Sequence, residues 1–405
     1  MWKMSQPTDP AGENYIPFAR PSIGKEEEEA VLEVLRSGWL TTAGQARAFE
    51  REFAAYTGAS HALAVSSATA GLHLALDAFG VGPGDKVITS PYTFTATAEV
   101  IRYLGADPLF VDIDEESLTI DPEGVEQALK KNPGTKALIP VHLGGQSCRM
   151  DLIMENARRH GAVVIEDAAH AFPVITDLGF LGGIGDAGVY SFYATKTMTT
   201  GEGGMVITED PEIARRIGIM RLHGIDREVW DRYTDPRASW KYDVVAPGYK
   251  YNLSDMAAAL GRVQLKKAEL FLRKRRTIAE TYLGAFGGAD FLELPSSSGA
   301  DTHAWHLFIL RLREEKLNID RDEFILRLQE AGIGTSVHYI PLHMMSYYRE
   351  RYGYRPEDFP RSLRTYRRAF SLPIYPDMGE EQVRKVIDAV ISTGETHRRR
   401  EVFGI

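Results

Sequence analysis

The amino-acid sequence predicts an α/β protein: a large domain with a mainly parallel sheet covered by helices on both faces, followed by a smaller α+β C-terminal domain. Three observations predict it. Short apolar runs alternate with amphipathic helical patterns through residues 61–220, the arrangement of a parallel sheet with crossover helices. At 405 residues the chain exceeds the usual size of one core. Beyond Asn252 the pattern changes, as a long basic helical stretch over 255–282 gives way to a Gly/Ser/Pro break at 287–299.

Each element has its own signal. Residues 1–15 are rich in Pro, Gly, Ser and Asn without apolar periodicity and read as a mobile arm. Residues 25–35 predict a helix ending at Gly38, with acidic residues in its first turn where the helix dipole favours them. Apolar runs at 61–66, 86–89, 108–112, 137–142, 162–166, 189–193 and 205–208 predict strands. Helical patterns at 70–79, 96–104, 122–130, 150–160 and 211–220 separate most of them. Residues 16–265 are thus assigned to the large domain and 266–405 to the small one, with a strand at 305–312 and helices at 321–331 and 379–393. Ligands on such sheets collect in the loops beyond the strand carboxyl ends.

Composition narrows the function. Apolar residues make up 44% and charged residues 25%, the balance of an ordinary globular chain. No run approaches the ~20 apolar residues of a membrane span, and the first fifteen residues lack the apolar core of a signal peptide, so a cytoplasmic protein is expected. A single cysteine and the lack of CxxC or HExxH spacing argue against a metal mechanism. A net charge of −9 with dispersed basic residues argues against nucleic acid.

Four segments carry chemistry. The stretch VYSFYATKTMTTGEGGMVIT (189–208) places Lys196 on a small-residue loop between two apolar strands. Its glycines let backbone approach a ligand closely. A partly buried, fixed amine has the lowered pKa needed to bond a carbonyl covalently and then to shuttle protons. The bland alternative is a surface lysine in a flexible loop. In AVVIEDAAHA (162–171) a buried strand delivers Asp167 and, just past its end, His170. Pyridoxal phosphate (PLP) works as an electron sink only while its ring nitrogen is protonated, and an adjacent carboxylate such as Asp167 holds that proton. His170 would contact the ring oxygen or orient the aspartate. Singly, a strand-end Asp is more often a cap and a lone His more often structural. The strand, turn and helix of AVSSATAGLHLAL (64–76) offer phosphate a helix start plus the Thr69 hydroxyl, or merely a cap. Finally, Phe94 in PYTFT (91–95) suits the face of a planar ring. All four fall on carboxyl-end loops of one inferred sheet, and that conjunction outweighs the bland readings. The literal GxGxxG at 183–188 precedes a strand instead of joining strand to helix, so it reads as a turn and not as a dinucleotide site.

With these residues the sequence resembles the DegT/DnrJ/EryC1/StrS sugar aminotransferases, a branch of fold-type I PLP enzymes, from about Ile16 to the C-terminal helix. The likeness is carried in order by SGWLTTAG (37–44), SSATAGLHLAL (66–76), TFTAT (93–97), PVHLGGQ (140–146), VIEDAAHA, SFYATK with TTGEGGM, RLHGI (221–225), YNLSDMAAALGRVQL (251–265), GIGTSVHYIPLH (332–343) and SLPIYP (371–376). The resemblance implies a three-layer fold-type I large domain and a homodimer with shared active sites. It implies that Lys196 bonds the cofactor and moves the proton, that Asp167 pairs with the ring nitrogen, that His170 lies beside the ring and that Phe94 stacks on it. By the same resemblance Thr69, Ala70 and Ser191 hold the phosphate, and Asn252 reaches the phosphate of the neighbouring subunit. Ala68 stands where many relatives carry glycine; the SSATAG form is similar to the branch that aminates UDP-4-keto-pentose in lipid A modification.

The implied reaction takes an amino group from L-glutamate to a nucleotide-linked keto-sugar, with a 4-keto sugar favoured. Trp39, Thr41, His338 and His343 are the expected sugar-nucleotide contacts. A PLP-dependent dehydratase or lyase on the same sugars and a non-catalytic sugar-nucleotide-binding regulator are the alternatives. The intact lysine and the single cysteine speak against the dehydratase, and the lysine with the aspartate against the regulator.

Overall fold

The protein is described by a computed structural model over residues 15–226, 242–296 and 302–399. All but the last residue of the expected arm at 1–15 therefore lies outside the described residues, as does the end of the 287–299 break. Helices α1 (Lys25–Ser37) and α2 (Gly44–Thr57) precede strand β1 (His61–Val65). There follow α3 (Ala68–Ala78), β2 (Lys86–Thr89), α4 (Ala96–Tyr103), β3 (Asp107–Phe110), α5 (Pro122–Lys131), β4 (Ala137–Ile139), α6 (Met150–His160) and β5 (Val163–Asp167). A hairpin of β6 (Ile175–Thr176) and β7 (Gly179–Phe180) leads to β8 (Ala187–Ser191), β9 (Gly204–Thr208) and α7 (Pro211–Met220). Helix α8 (Asp255–Phe286) links this unit to β10 (Leu292–Glu293), β11 (Phe308–Leu312), α9 (Arg321–Glu330), α10 (Ser346–Tyr352), α11 (Pro360–Arg368), β12 (Ala369–Leu372) and α12 (Glu380–Thr396).

The main sheet has seven strands in the order β1-β9-β8-β5-β4-β2-β3, and only β9 runs against the others. Strands β4 and β9 are buried along their whole length, which is what continuous apolar runs dictate when helices cover both faces. Helix α3 is buried at every position from Ala70 to Leu76. It lies so close to the sheet that a Cβ on Gly71 would come within 2.7 Å of Val189. Caps set the other boundaries: Asp121 and Asp210 accept from first-turn amides ahead of Pro122 and Pro211, a side-chain acceptor followed by proline at the first helical position.

Helix α2 is absent from the pattern reading. Its apolar face is Ala46, Phe49 and Phe53, and it ends at Gly58 in the left-handed region. That helical spacing is present in the sequence but is interrupted by charged residues on the other face.

The cores divide along α8. Its Ala258, Leu265 and Ala268 pack with Phe49, Phe53 and Phe192, whereas Ile278, Ala279, Tyr282 and Phe286 pack with β11 and β12 of the antiparallel small sheet β10-β11-β12. Ile16, counted with the large domain by sequence position, pairs with Ile333 and packs in the small-sheet core. Among the described residues no helix is long and apolar enough to cross a membrane.

Candidate active site

The chemistry gathers at the carboxyl edge of the parallel strands. Asp167 is the last residue of β5, Ser191 the last of β8, and Ser67 caps α3 two residues beyond β1. Strand β9 begins between them, Gly204 pairing with Val65 on one side and Ser191 on the other. A Cβ on Gly204 would sit 2.7–2.8 Å from the backbone of Ser67, Ala68 and Tyr190, so only glycine lets the strand meet the turn there.

Lys196 is partly buried, and its backbone N–H donates to the Tyr193 carbonyl at 2.9 Å. Burial lowers the ammonium to about 8, against the pull of the Asp167 carboxylate, which favours the charged form. Asp167 itself is 6% exposed. Burial raises it above the usual carboxylate range, while the Thr97 hydroxyl, the Ala169 amide and the Lys196 charge act in the opposite direction. The two residues are thus close enough for each to act on the other's charge.

His170 has a fixed tautomer. Its Nδ1 accepts the Gly144 N–H at 3.1 Å, so the proton of the neutral ring is on Nε2, which faces the Tyr339 hydroxyl at 3.3 Å. Burial, then the Lys196 and His338 charges, hold it well below the ordinary histidine value. Phe94, half exposed, has its ring 5.9 Å from that of Tyr339. Thr69 is partly exposed in the first turn of α3, and the Ala70 N–H donates to Ser67 Oγ at 3.1 Å. Ser191 Oγ accepts the Tyr193 N–H at 3.4 Å.

The remaining expected contacts separate. His338 bonds Ser371 Oγ at 2.9 Å through Nδ1, and burial followed by the Lys196 charge lowers it to about 4, which places it at the site. His343 is fully buried elsewhere: its Nε2 donates to the Pro356 carbonyl at 3.1 Å and its ring packs 4.7 Å from Phe359. His343 thus sits apart from the Lys196 cluster, with Nε2 on backbone and Nδ1 buried without a hydrogen-bond partner. Trp39 and Thr41 lie on the α1–α2 loop, next to Thr42, whose hydroxyl receives the Asn252 amide at 2.5 Å. Asn252 bridges to Val65 at the end of β1 and lines an open groove with Arg47, Arg51 and Arg221.

Pattern reading did not single out the support beneath the site. His142 donates from Nε2 to Glu166 Oε2 at 2.9 Å, and Glu166 also accepts the N–H groups of Gly182, Ile184 and Gly185 at 2.6–2.9 Å. The GxGxxG-like segment is indeed a turn, and the anion it wraps is this internal carboxylate. His306, 4.5 Å from His170 ring to ring, and Tyr339 also belong to the site. An apolar strand carrying two adjacent acidic residues was the available signal for Glu166.

The donor set fits PLP: an amine and a carboxylate sharing a buried space, beside a turn whose backbone only glycine can approach. The model of the DegT/DnrJ/EryC1/StrS aminotransferase family matches residues 21–391, and the chain belongs to that family. It is a PLP-dependent aminotransferase of the fold-type I architecture, acting on an amino acid and a keto-sugar. It is 48% identical over 378 residues to the spore coat polysaccharide biosynthesis protein SpsC of Bacillus subtilis, covering 93% of this chain and 96% of that one. Helicobacter pylori PseC, an aminotransferase involved in the biosynthesis of pseudoaminic acid, superposes with a TM-score of 0.88 at 28% identity over 94% of this chain and all of that one. Spr1654 of Streptococcus pneumoniae in its PLP form gives 0.86 at 31% identity, over 94% and 99% of the two chains, and its PMP form is equally similar.

Proposed function

We propose that this enzyme transfers the amino group of L-glutamate to a nucleotide-linked 4-keto-sugar in the cytoplasm, as a homodimer, in a pathway of surface polysaccharide synthesis. The observation that carries the reading is the pairing of Lys196, lowered to about 8, with the buried Asp167. Likeness to SpsC, by its name a polysaccharide biosynthesis protein, supports the pathway.

When bound, PLP supplies an electron sink that makes the C–H bond beside the transferred nitrogen acidic. Lys196 Nζ takes that proton and returns it to the neighbouring carbon, a task suited to an amine whose pKa lies near neutrality. Asp167 would keep the ring nitrogen protonated through a charge-assisted hydrogen bond. With PLP bound, His170 would lie beside the ring, Phe94 would stack on it, and Thr69, Ala70 and Ser191 would hold the phosphate. Asn252 would reach the phosphate of the neighbouring subunit. His338, Trp39 and Thr41 contact the sugar nucleotide.

The test is product mass spectrometry on a panel of UDP-, dTDP- and GDP-linked 3-keto and 4-keto sugars with glutamate as donor. Amination at C4 with release of 2-oxoglutarate is expected. Exclusive amination at C3, or a free keto-sugar as the accepted substrate, would overturn the reading.

A further inference from the structure

Both carboxylate oxygens of Asp167 are held from within the chain. The Ala169 N–H donates to Oδ1 at 3.2 Å, and the Thr97 hydroxyl donates to Oδ2 at 2.8 Å. A hydroxyl has one proton to give. Since the proton of Thr97 goes to the carboxylate, the 3.1 Å contact between the Thr93 and Thr97 hydroxyls runs from Thr93 to Thr97. The result is a directed chain, Thr93 to Thr97 to Asp167, whose members are 2%, 1% and 6% exposed. In such a dry setting successive hydrogen bonds polarise one another, and the last one, to a charged acceptor, is the strongest.

The location of the chain gives it a consequence. Thr93 and Thr97 bracket Phe94 on the segment that leaves β2 and enters α4, so one short stretch carries both the aromatic plate and the donor to the aspartate. Thr97 lies in the first turn of α4, its N–H donating to the Phe94 carbonyl at 3.3 Å, which ties the two functions to one rigid helix start.

We propose that Thr97, backed by Thr93, is a positioning residue: it fixes the Asp167 carboxylate in one ionised orientation and so sets the proton affinity of the cofactor's ring nitrogen. The inference rests on Asp167 as the partner of that nitrogen, and it is independent of which sugar is aminated. A threonine that served stability alone would cost folding free energy when changed and leave cofactor protonation untouched.

The test compares full-length, PLP-loaded wild type with Thr97→Val, Thr97→Ser and Asp167→Asn. Visible absorbance is titrated against pH without any sugar substrate, and the single-turnover rate with glutamate is measured in parallel. In Thr97→Val the carboxylate loses a bond that stabilises its charged form and draws the ring proton toward itself, and the less cationic ring raises the pKa of the Lys196–PLP imine that the absorbance reports. The spectral midpoint then moves to higher pH by about one unit, and the half-reaction slows about 10- to 100-fold, the size of one hydrogen bond to a charged group. Thr97→Ser, which keeps the hydroxyl, restores both. Should the valine variant fail to fold, Thr93→Val removes only the second link and gives a smaller shift of the same sign. A Thr97→Val titration that superimposes on wild type while Asp167→Asn is displaced overturns the role of Thr97. If Asp167→Asn is not displaced either, the assignment of the aspartate falls with it.

Discussion

His142 and Glu166 meet at 2.9 Å with no exposed surface on either side chain. The His142 Nδ1 accepts the Cys148 N–H at 3.1 Å, so its ring proton is on Nε2 and points at the carboxylate. The backbone N–H of His142 donates to the Asp167 carbonyl at 3.2 Å. A buried, fully bonded carboxylate thus anchors the residue next to the one that serves the cofactor. It also holds the 182–185 turn to the strand through three backbone donors.

Replacing Glu166 by Gln turns one acceptor oxygen into a donor facing other donors. Each buried donor left facing that new N–H instead of an acceptor costs about 1–3 kcal/mol. Urea unfolding of Glu166→Gln should show a loss of that size, with no such loss for Glu330→Gln, at an exposed helix end.

Lys196→Ala removes an amine that burial disfavours, so the variant should be at least as stable as wild type. It should lose the yellow of bound PLP, the borohydride-trappable adduct and about 1000-fold or more of turnover, in the range of a positioned acid–base group. The amine also predicts a pH dependence. Because the neutral form attacks the aldehyde, covalent loading of PLP into the apoprotein should quicken as pH rises and level off near 8. An ordinary lysine would continue to gain up to about 10.4. Stopped-flow absorbance checks this, and a rate still climbing well above 8 would contradict the lowered amine.

On the acid side the buried histidines act with the same sign as a paired carboxylate, because each binds its proton less tightly folded than unfolded. His338 is lowered to about 4 and His303 to about 3, both by burial first, and His170 and His306 are well below their usual value. The unfolded chain binds these protons from about 6.5 downward and the folded chain does not. Stability is therefore full above about pH 6.5 and falls as pH drops through the window between the unfolded and folded values. Thermal unfolding of the apoprotein should show this acid slope, and His303→Asn, with its amide replacing the acceptor for the Trp305 N–H, should flatten it.

Much of this site could be read from residues in order, because its parts obey local rules. Asp167 ends an apolar strand, Thr69 opens a helix after a strand, and Lys196 sits among small residues between two strands, so sheet topology alone brings them to one edge. His306, Tyr339 and the Glu166 clamp were not legible in this way. Their partners are distant in sequence, as His170 is from Tyr339, and depend on how the small domain closes over the sheet. Helix α2 failed for a different reason, since a narrow face of Ala46, Phe49 and Phe53 among charged residues gives a weak period although it packs fully.

Gly204→Ala tests the cradle. The added methyl would lie 2.7–2.8 Å from backbone atoms of Ser67, Ala68 and Tyr190, none of which is the free end of a side chain. Relief requires β9 or the Ser67 turn to shift, which deforms the helix start that would hold phosphate. PLP affinity, measured by equilibrium dialysis, should fall about tenfold or more, with a stability loss of about 1–3 kcal/mol. Gly38→Ala, with no heavy atom within 4 Å of the new carbon, should pay only for its left-handed backbone and leave PLP binding unchanged.

The two histidines of the 332–343 segment give opposite expectations. His343 is sealed against Phe359 and bonded to the Pro356 carbonyl, so His343→Ala should lose about 2–4 kcal/mol of stability through the cavity and the orphaned carbonyl, with kcat and KM unchanged at temperatures where it remains folded. His338 is held by Ser371 and lies within the electrostatic reach of Lys196. His338→Ala should cost about 1–3 kcal/mol through the orphaned Ser371 hydroxyl and raise KM for the sugar nucleotide by about tenfold, the value of one hydrogen bond to a ligand, while the glutamate half-reaction proceeds near the wild-type rate. The measurement is steady-state kinetics for both substrates alongside urea unfolding. Equal kinetic defects in the two variants would mean that the segment moves as one body and that His343 supports the site through it.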